Sequence, residues 1–508
     1  ENGSAREVWR ITHASVRSSM TWSAFHACSL GCVLGALGAR AGVAGEGSLR
    51  AAEPIVPWCR KSAVFAAAPA GSLGASSEGS VLLWSGKAHD KAEKSHGSSL
   101  VNDLWVLTVK TTDDGAVENG GVAWKRQAEA LAQSPAGRWK SSGDVLGGEL
   151  VIFGGDDGSK FGDDLWALPL SELNSDSEAV WHQPVLAQGS TVPPGRRGHV
   201  LVAFEDQHAF ALVGGRMKHH VCLPDAWVLV VPTSDAENAW KSAHWVQIDG
   251  IPSACRWGHA ATLAKDPLTS TEIVAVFGGR YENADGDMVY LDDLWFLNLA
   301  VNTVTGEATG TWSQALTEKG VRPPARDHHT MVYDGESESL FVFAGRKSVT
   351  TEPALPDLWK YSLRDSQWVQ LTPSGFRPET RYVHSAAFVN GVMVVFGGEH
   401  FKKQQEKSKD HKLNDVWVYS PKKNLWTQLT RSNCLAGDMG KVVHVNSTRI
   451  TFFVVVLGVV LAGLFGLANR WQSHGSAGLL NYLANTVDQR HGPSQRRTEF
   501  KVEYSPLR

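Results

Sequence analysis

Histidine, acidic and cysteine side chains are the groups in this 508-residue chain that could carry chemistry. His219 and His220 are adjacent, which is poor geometry for chelating one metal ion. Five acidic residues in one short stretch could attract calcium, although their spacing does not match an EF-hand loop: Glu282, Asp285, Asp287, Asp292 and Asp293. We interpret this stretch as a solvated loop. The sequence predicts no catalytic residue, no metal site and no cofactor.

Other enzyme and nucleic-acid signals are also missing from the sequence. No Gly-Lys-Ser/Thr phosphate loop and no nucleophile elbow occurs. Lys and Arg total 49 against 52 Asp and Glu, so the formal net charge is only −3. Without a basic excess the chain has no global field that would attract nucleic acid, and no nucleic-acid partner is expected.

The elements that must position any site come as a repeated unit of short apolar runs. A double glycine ends an apolar run at four places, namely Gly154-Gly155, Gly214-Gly215, Gly278-Gly279 and Gly397-Gly398. It is degraded to Ser85-Gly86 in the first copy and Ala344-Gly345 in the fifth. Short apolar strands separated by turn signals predict antiparallel sheets.

An Asp-x-Trp mark follows each glycine pair, with tryptophans at Trp105, Trp166, Trp227, Trp295, Trp359 and Trp417. A further tryptophan follows each of these marks, at Trp124, Trp181, Trp245, Trp312, Trp368 and Trp426. Upstream of the glycines lies Arg-x-x-His or a near match, which is complete at Arg256/His259 and Arg381/His384. Variable distances between fixed marks indicate one supersecondary unit with loops of different length.

These marks resemble kelch repeats, whose units form four-stranded blades of a β-propeller. The resemblance covers about Cys59 to Thr430 and implies an all-β fold, a six-bladed kelch-type β-propeller over residues 58–432. Glycine pairs would permit sharp turns and close approach, and the tryptophans would bury large areas between adjacent sheets. We expect the Asp to accept hydrogen bonds from loop backbone and the Arg and His to bridge neighbouring blades. All of these are scaffold roles.

Closure of such a ring would bring its two ends together. We hypothesise a Cys59–Cys434 disulfide at this junction, and a second pairing of Cys222 with Cys255 on one face. Four free, partly buried thiols are the alternative.

One membrane helix is predicted after the repeats. Residues 450–468 carry no charge and are long enough to span a bilayer once. Gly458, Ala462 and Gly466 share one helix face, a pattern compatible with a homodimer through this helix. Before the repeats, residues 20–44 are a candidate signal peptide, and residues 1–19 are interpreted as a leader or a frame artefact. The remaining segments are a linker (45–57), a juxtamembrane stalk (433–449) and a tail (469–508).

The expected function is binding, because loops on a rigid scaffold are where recognition usually resides. The loops after the double glycines should share one face, and their candidate binding residues are Arg216, Arg280, Arg346, Lys402 and Lys403. Mixed charge suits a protein ligand, or a polar glycan, better than nucleic acid. We therefore expect a single-pass membrane protein with an extracellular or lumenal propeller and no catalysis.

Two alternatives remain open from the sequence. The first is a lumenal or extracellular enzyme that resembles galactose oxidase, although the required Tyr/Cys/His ligand set is not recognisable here. The second is a cytosolic adaptor anchored by its C-terminal helix, if residues 20–44 are not a signal.

Overall fold

The structure, a computed structural model, consists of β-sheets arranged in a ring. It describes residues 56–73, 79–89, 98–127, 134–174, 180–232, 239–315, 321–348, 354–400, 411–432 and 434. Within these ranges no helix has the length and apolar character needed to cross a membrane. The expected signal (20–44), the expected membrane helix (450–468) and the residues Lys402 and Lys403 lie outside the described residues.

Six successive segments of the chain each build one sheet, and each sheet is one blade. Blade 1 contains β1 (Arg60–Lys61), β2 (Val64–Ala67), β3 (Ser80–His89), β4 (Ser98–Thr111) and β5 (Val117–Arg126). Blade 2 contains β6 (Ser142–Leu146), β7 (Glu149–Phe153) and β8 (Leu165–Pro169). Blade 3 contains β9 (Val200–Phe204), β10 (Ala209–Val213), β11 (Ala226–Val230) and β12 (His244–Ile248).

The second half of the ring follows the same plan. Blade 4 contains β13 (Ala260–Lys265), β14 (Glu272–Phe277), β17 (Leu294–Asn302) and β18 (Glu307–Gln314), with a separate hairpin of β15 (Arg280–Glu282) and β16 (Met288–Tyr290). Blade 5 contains β19 (Thr330–Asp334), β20 (Ser339–Phe343), β21 (Leu358–Ser362) and β22 (Gln367–Leu371). Blade 6 contains β23 (Ser385–Val389), β24 (Val392–His400), β25 (His411–Ser420) and β26 (Leu425–Thr430). The described helices are short: two 3₁₀ turns, Leu170–Asn174 and Lys218–His220, and α1 (Ala239–Ser242).

The strand pairing within each blade is antiparallel and sequential. The innermost strands β2, β6, β9, β13, β19 and β23 contact one another in that order, and β23 contacts β2. The prediction of an all-β, six-bladed propeller is therefore confirmed. Each blade is built from one continuous segment, so none of the described strands is exchanged between the first and last blades.

Two blades depart from the expected four strands. In blade 1 both β1 and β2 pair with β3. In blade 2 the fourth strand is reduced to one bridge between Ala167 and His182. The chain reaches Pro184 two residues later, and proline cannot donate to a strand ladder.

The core is divided among the junctions between blades. Six clusters of buried side chains each combine residues of two neighbouring blades, including one cluster that joins blade 1 to blade 6. The second strand of a blade is packed on both faces, and accordingly every residue of β10, β14 and β20 is buried. Strands covered on both faces have continuous apolar sequences rather than alternating ones, which explains the apolar runs before the glycine pairs.

Candidate functional site

The repeated Arg and Asp marks form a buried ion pair within each blade. In blade 4, Arg256 donates to both carboxylate oxygens of Asp293, at 2.8 Å each. The arginine is completely buried, and Trp295 donates its indole N–H to the same carboxylate at 2.7 Å. The same pair occurs in every blade: Arg60–Asp103, Arg138–Asp164, Arg196–Asp225, Arg256–Asp293, Arg326–Asp357 and Arg381–Asp415.

These pairs fix the double-glycine end of each blade. Burial raises the pKa of the Asp293 carboxyl, but the hydrogen bond and charge of Arg256 outweigh it and lower the pKa below its usual value. The Asp therefore accepts from Arg and Trp side chains, which differs from the expected bonds to loop backbone. Its role is structural.

The repeated Arg-x-x-His marks contact the neighbouring blade through backbone and histidine groups, whereas their guanidinium groups stay within the blade. The second glycine of a pair donates its N–H to the carbonyl of the next blade's arginine, as Gly155 does to Arg196 at 2.9 Å. His199 donates to the carbonyl of Phe153 in the preceding blade at 3.1 Å. Burial, together with the charge of Arg196, lowers the pKa of His199 to about 3. These histidines are therefore neutral packing groups between blades.

The third residue of each Arg-x-x-His segment forms a closed ring of backbone hydrogen bonds around the propeller axis. Each N–H donates to the carbonyl of its neighbour at 2.7–3.2 Å, in the order Ser62→Val383→His328→Gly258→Gly198→Lys140→Ser62. All six residues have positive φ. The ring lies where the inner strands begin, at one end of a central cavity of about 530 Å³. We call this end of the propeller the mouth.

Two side chains cross the mouth from opposite blades. Lys140 of blade 2 and His328 of blade 5 approach within 2.7 Å, Nζ to Nε2. The other ring nitrogen of His328, Nδ1, donates to Asp327 at 2.5 Å. Burial lowers the pKa of His328 to about 3, so its neutral ring accepts from the lysine. These residues fix the centre of the mouth.

Around this centre, two residues of each blade form a bridged pair: the residue after the arginine and the residue after the glycine pair. The pairs are Lys61/Lys87, Trp139/Asp156, Arg197/Arg216, Trp257/Arg280, Asp327/Arg346 and Tyr382/Glu399. The twelve positions carry six cations, three carboxylates and three aromatic rings, and no aliphatic side chain. Such a composition is typical of a recognition surface, where Arg and aromatic residues are enriched.

The structure brings three of the sequence-predicted binding residues, Arg216, Arg280 and Arg346, into this mouth. Arg280 and Arg346 contact the two oxygens of Asp327, at 3.1 and 3.0 Å. Arg216 is buried (8% exposed), and none of the described residues forms an ion pair with it. Its guanidinium lies near the rings of Phe161 and Trp257, 5.9 and 5.6 Å from their centroids.

The electrostatics of the mouth are dominated by positive charge. Burial, and then the neighbouring charges of Arg197 and Arg280, lower the pKa of Arg216 to about 10. Burial and the same two arginines hold the pKa of Lys140 well below its ordinary value. Asp327 is the opposite case, because His328, Arg346 and Arg280 outweigh its burial and keep its pKa low. Three carboxylates do not neutralise the six cations of the bridged pairs.

Sequence reasoning included Lys87 and Glu399 only as the first residues of two candidate binding loops. It missed the other members of the mouth, namely Lys61, Trp139, Lys140, Asp156, Arg197, Trp257, Asp327, His328 and Tyr382. Their residue types differ from blade to blade, so no repeat in type marks them. Their positions could still have been read from the repeat. Each lies one or two residues after the arginine of an Arg-x-x-His segment, or directly after a glycine pair.

The remaining sequence candidates lie elsewhere. The structure places Cys59 beside Cys434 and Cys222 beside Cys255, with Cα separations of 6.2 and 5.8 Å, which lie within the range that a disulfide requires. His220 lies 3.4 Å from Glu282, Nδ1 to Oε2. In the described ranges, no group of three or more His, Cys, Asp or Glu side chains could hold a metal ion.

Comparisons with known proteins agree with this architecture. A family model described as the Attractin/LZTR1 beta-propeller matches residues 174–459, and a KLHDC2/KLHL20/DRC7 Kelch-repeats domain model matches residues 69–268. Multiple epidermal growth factor-like domains protein 8 of Mus musculus is 28% identical over 306 residues, covering 57% of this chain and 10% of that protein. An F-box/kelch-repeat protein of Arabidopsis thaliana is 26% identical, covering 54% of each chain. Host cell factor 2 of Homo sapiens is 25% identical, covering 54% of this chain and 32% of that protein.

The six blades with their Arg–Asp–Trp marks define the class as a kelch-repeat β-propeller protein. Because the first family model matches more than half of its residues, the chain belongs to the Attractin/LZTR1 beta-propeller family. The matched stretch is only a tenth to about half of the length of the relatives named above.

Proposed function

We propose that this protein is an interaction module whose double-glycine face binds a protein ligand, without catalysis. The observation that supports this most is the mouth itself, where bridged positions from all six blades present charged and aromatic side chains around one rigid ring. The ring of six backbone hydrogen bonds holds these positions in place. Preorganised side chains lose little entropy on binding, which favours affinity.

The carboxylates of the mouth have structural partners. Asp327 is held by one histidine and two arginines, and the repeated Arg–Asp pairs are used inside the blades. A binding role therefore accounts for the described residues without a catalytic step.

Site-specific photo-crosslinking in cells would test the location of binding. A photo-reactive amino acid placed at Lys218, which is exposed beside the mouth in the loop after Gly214-Gly215, should give discrete protein adducts. The same amino acid at Leu268, 90% exposed in the β13–β14 turn at the opposite end, is the matched control. Adducts from Leu268 alone, or equal adducts from both positions, would contradict the proposal.

We further propose that residues 450–468 anchor the propeller to a membrane, on its extracellular or lumenal side, and that Gly458, Ala462 and Gly466 permit a homodimer. This rests on the uncharged 19-residue run and on its small-residue spacing. Protease protection on intact membranes checks the side, because an extracellular or lumenal propeller is shielded in sealed cytosol-side-out vesicles. Digestion of the propeller in such vesicles would contradict this assignment.

A further inference from the structure

The mouth contains more positive charge than its own carboxylates can neutralise. Among the bridged pairs, six cations (Lys61, Lys87, Arg197, Arg216, Arg280 and Arg346) face three carboxylates (Asp156, Asp327 and Glu399). Each carboxylate already has a cation: Arg197 pairs with Asp156, Lys61 pairs with Glu399, and two arginines share Asp327. A surplus of three positive charges therefore remains.

The surplus charge is concentrated rather than dispersed. Arg216 is buried and has no ion-pair partner among the described residues. Its charged neighbours are Arg197 and Arg280, followed in strength by the carboxylates of Asp156 and Glu282. Like charges crowded in a region of reduced dielectric destabilise the fold unless a counter-charge is supplied. The network of aromatic faces offsets part of this cost, since Arg197 stacks over Trp139 at 4.9 Å and Arg346 over Tyr382 at 4.6 Å.

We propose that the mouth is a receptor for an acidic peptide segment of a partner protein, with Arg216 and Lys87 supplying charges that pair with its carboxylates. This rests on the proposed function and names the chemistry of the ligand. A positive patch that meets a negative one gains both encounter rate and specificity. Guanidinium groups fit carboxylates in a bidentate geometry, as the six pairs inside the blades already show.

The size of the surplus favours a peptide over a continuous polyanion. The three carboxylates of the bridged pairs are buried, with Asp327 0%, Glu399 2% and Asp156 8% exposed, and each already has a cation, so a ligand meets only the remaining cations. A sulfated polysaccharide or a nucleic acid carries charge at every repeat and would bring more negative charge than a surplus of three can neutralise. A peptide can place two or three acidic side chains against the cations and leave the rest of its length uncharged.

The crossing of Lys140 and His328 determines how such a peptide would lie. Their contact closes the centre of the mouth at 2.7 Å, so the segment would lie across the mouth and would not thread into the cavity behind it. The ring carbonyls are occupied by neighbouring N–H groups. The available polar contacts are therefore those of the side chains in the bridged pairs.

Selection from a phage-displayed library of random twelve-residue peptides on the full chain tests this inference. We expect the recovered peptides to be enriched in Asp and Glu relative to the input library. A labelled recovered peptide should bind the Arg216→Gln protein at least about tenfold more weakly, since hydrogen bonds to charged groups typically contribute this much. Lys265→Gln is the matched control, because Lys265 is an exposed cation at the opposite end of β13, and its binding should be unchanged.

A second variant and two competing polyanions make each outcome of the experiment decisive. The Lys87→Gln protein, which alters a less buried cation of the same mouth, should also bind more weakly, and it replaces Arg216→Gln if that variant fails to fold. Recovery of peptides without acidic enrichment, or unchanged binding by both variants, would overturn the inference. Tighter binding of a heparin-derived oligosaccharide or of single-stranded DNA than of any recovered peptide would also overturn it. Recovery of no peptide overturns this inference alone, because crosslinking from Lys218 tests the proposed function independently.

Discussion

The buried Arg–Asp pair of a blade should be a major determinant of stability, and Asp293→Asn is the sharpest test. Arg256 is completely buried and donates two hydrogen bonds of 2.8 Å to Asp293. The asparagine would keep the shape and one acceptor oxygen, but its NH₂ group would face a guanidinium N–H, donor against donor. Removing one charge of a buried pair typically costs about 3–5 kcal/mol. The Asp293 side chain is 16% exposed, so we expect about 3 kcal/mol, at the lower end.

Urea unfolding at pH 7, followed by tryptophan fluorescence, measures this loss of unfolding free energy. The matched comparison is Lys265→Gln, which removes an ion pair of 3.9 Å between two side chains that are 56% and 63% exposed. Exposed pairs contribute about 0–1 kcal/mol, so this variant should remain within about 1 kcal/mol of the wild type. If Asp293→Asn costs no more than Lys265→Gln, the structural role assigned to the repeated pair is wrong.

The pH dependence of the unfolding free energy shows whether the charge of Asp293 stabilises the fold. The pKa of Asp293 is lower in the folded protein than its usual value of 3.8. Its stabilisation is therefore fully present above about pH 4 and is lost as the pH falls through the lower, folded-state pKa. The difference between wild type and Asp293→Asn should stay constant from pH 7 to pH 5 and shrink only in stronger acid.

Three further predictions follow from the ring, the turns and the cavity. Replacing both Cys59 and Cys434 by Ser should lower the unfolding free energy by about 2–5 kcal/mol under oxidising conditions, measured by urea unfolding, and an unchanged midpoint would exclude a bridge there. Gly279→Ala should lower the thermal unfolding midpoint more than Gly286→Ala. Both glycines have positive φ, but a Cβ at 279 would lie 2.9 Å from the Cβ of His259, whereas a Cβ at 286 meets nothing within 4 Å. Equal effects of the two substitutions would contradict the close approach at Gly279. Burial raises the pKa of Asp144 from 3.8 to about 6, so the wild type loses stability as the pH rises between these two values. Asp144→Asn should therefore gain unfolding free energy relative to wild type between about pH 4 and pH 6 and keep that gain up to pH 8, whereas a flat difference throughout would contradict the raised pKa.

The fold was predictable because its marks are fixed by backbone and packing requirements. Gly278 and Gly279 have φ of 63° and 95°, a region that glycine adopts without strain. The degraded copies confirm that the conformation is the constraint, since Ser85 and Ala344 adopt φ of 62° and 57° at the first position. Repetition of such marks in sequence reports repetition of structure directly.

The pairing of the marks and the composition of the mouth were not predictable in the same way. Nothing in the spacing of Arg256 and Asp293 indicates that they meet, because the loop between them varies in length from blade to blade. The mouth depends on positions whose residue types are free to vary, such as Trp139, Arg197 and Asp327. A scaffold that binds different ligands requires positions whose geometry is fixed and whose residue types vary. A search for repeated residue types overlooks such positions.

The junction between blades 6 and 1 links ring closure to formation of the mouth. Among the described strands none crosses this junction. It uses the hydrogen bond from Ser62 to Val383, the Lys61–Glu399 ion pair at 2.5 Å, and the buried bond from Asn414 to the carbonyl of Pro57 at 3.0 Å. Lys61 and Glu399 are also members of the bridged pairs of the mouth. The two ends of the propeller sequence must therefore meet before the mouth is complete, so closure and site formation are one event. A ligand that binds only the complete mouth must, by linkage, stabilise this junction.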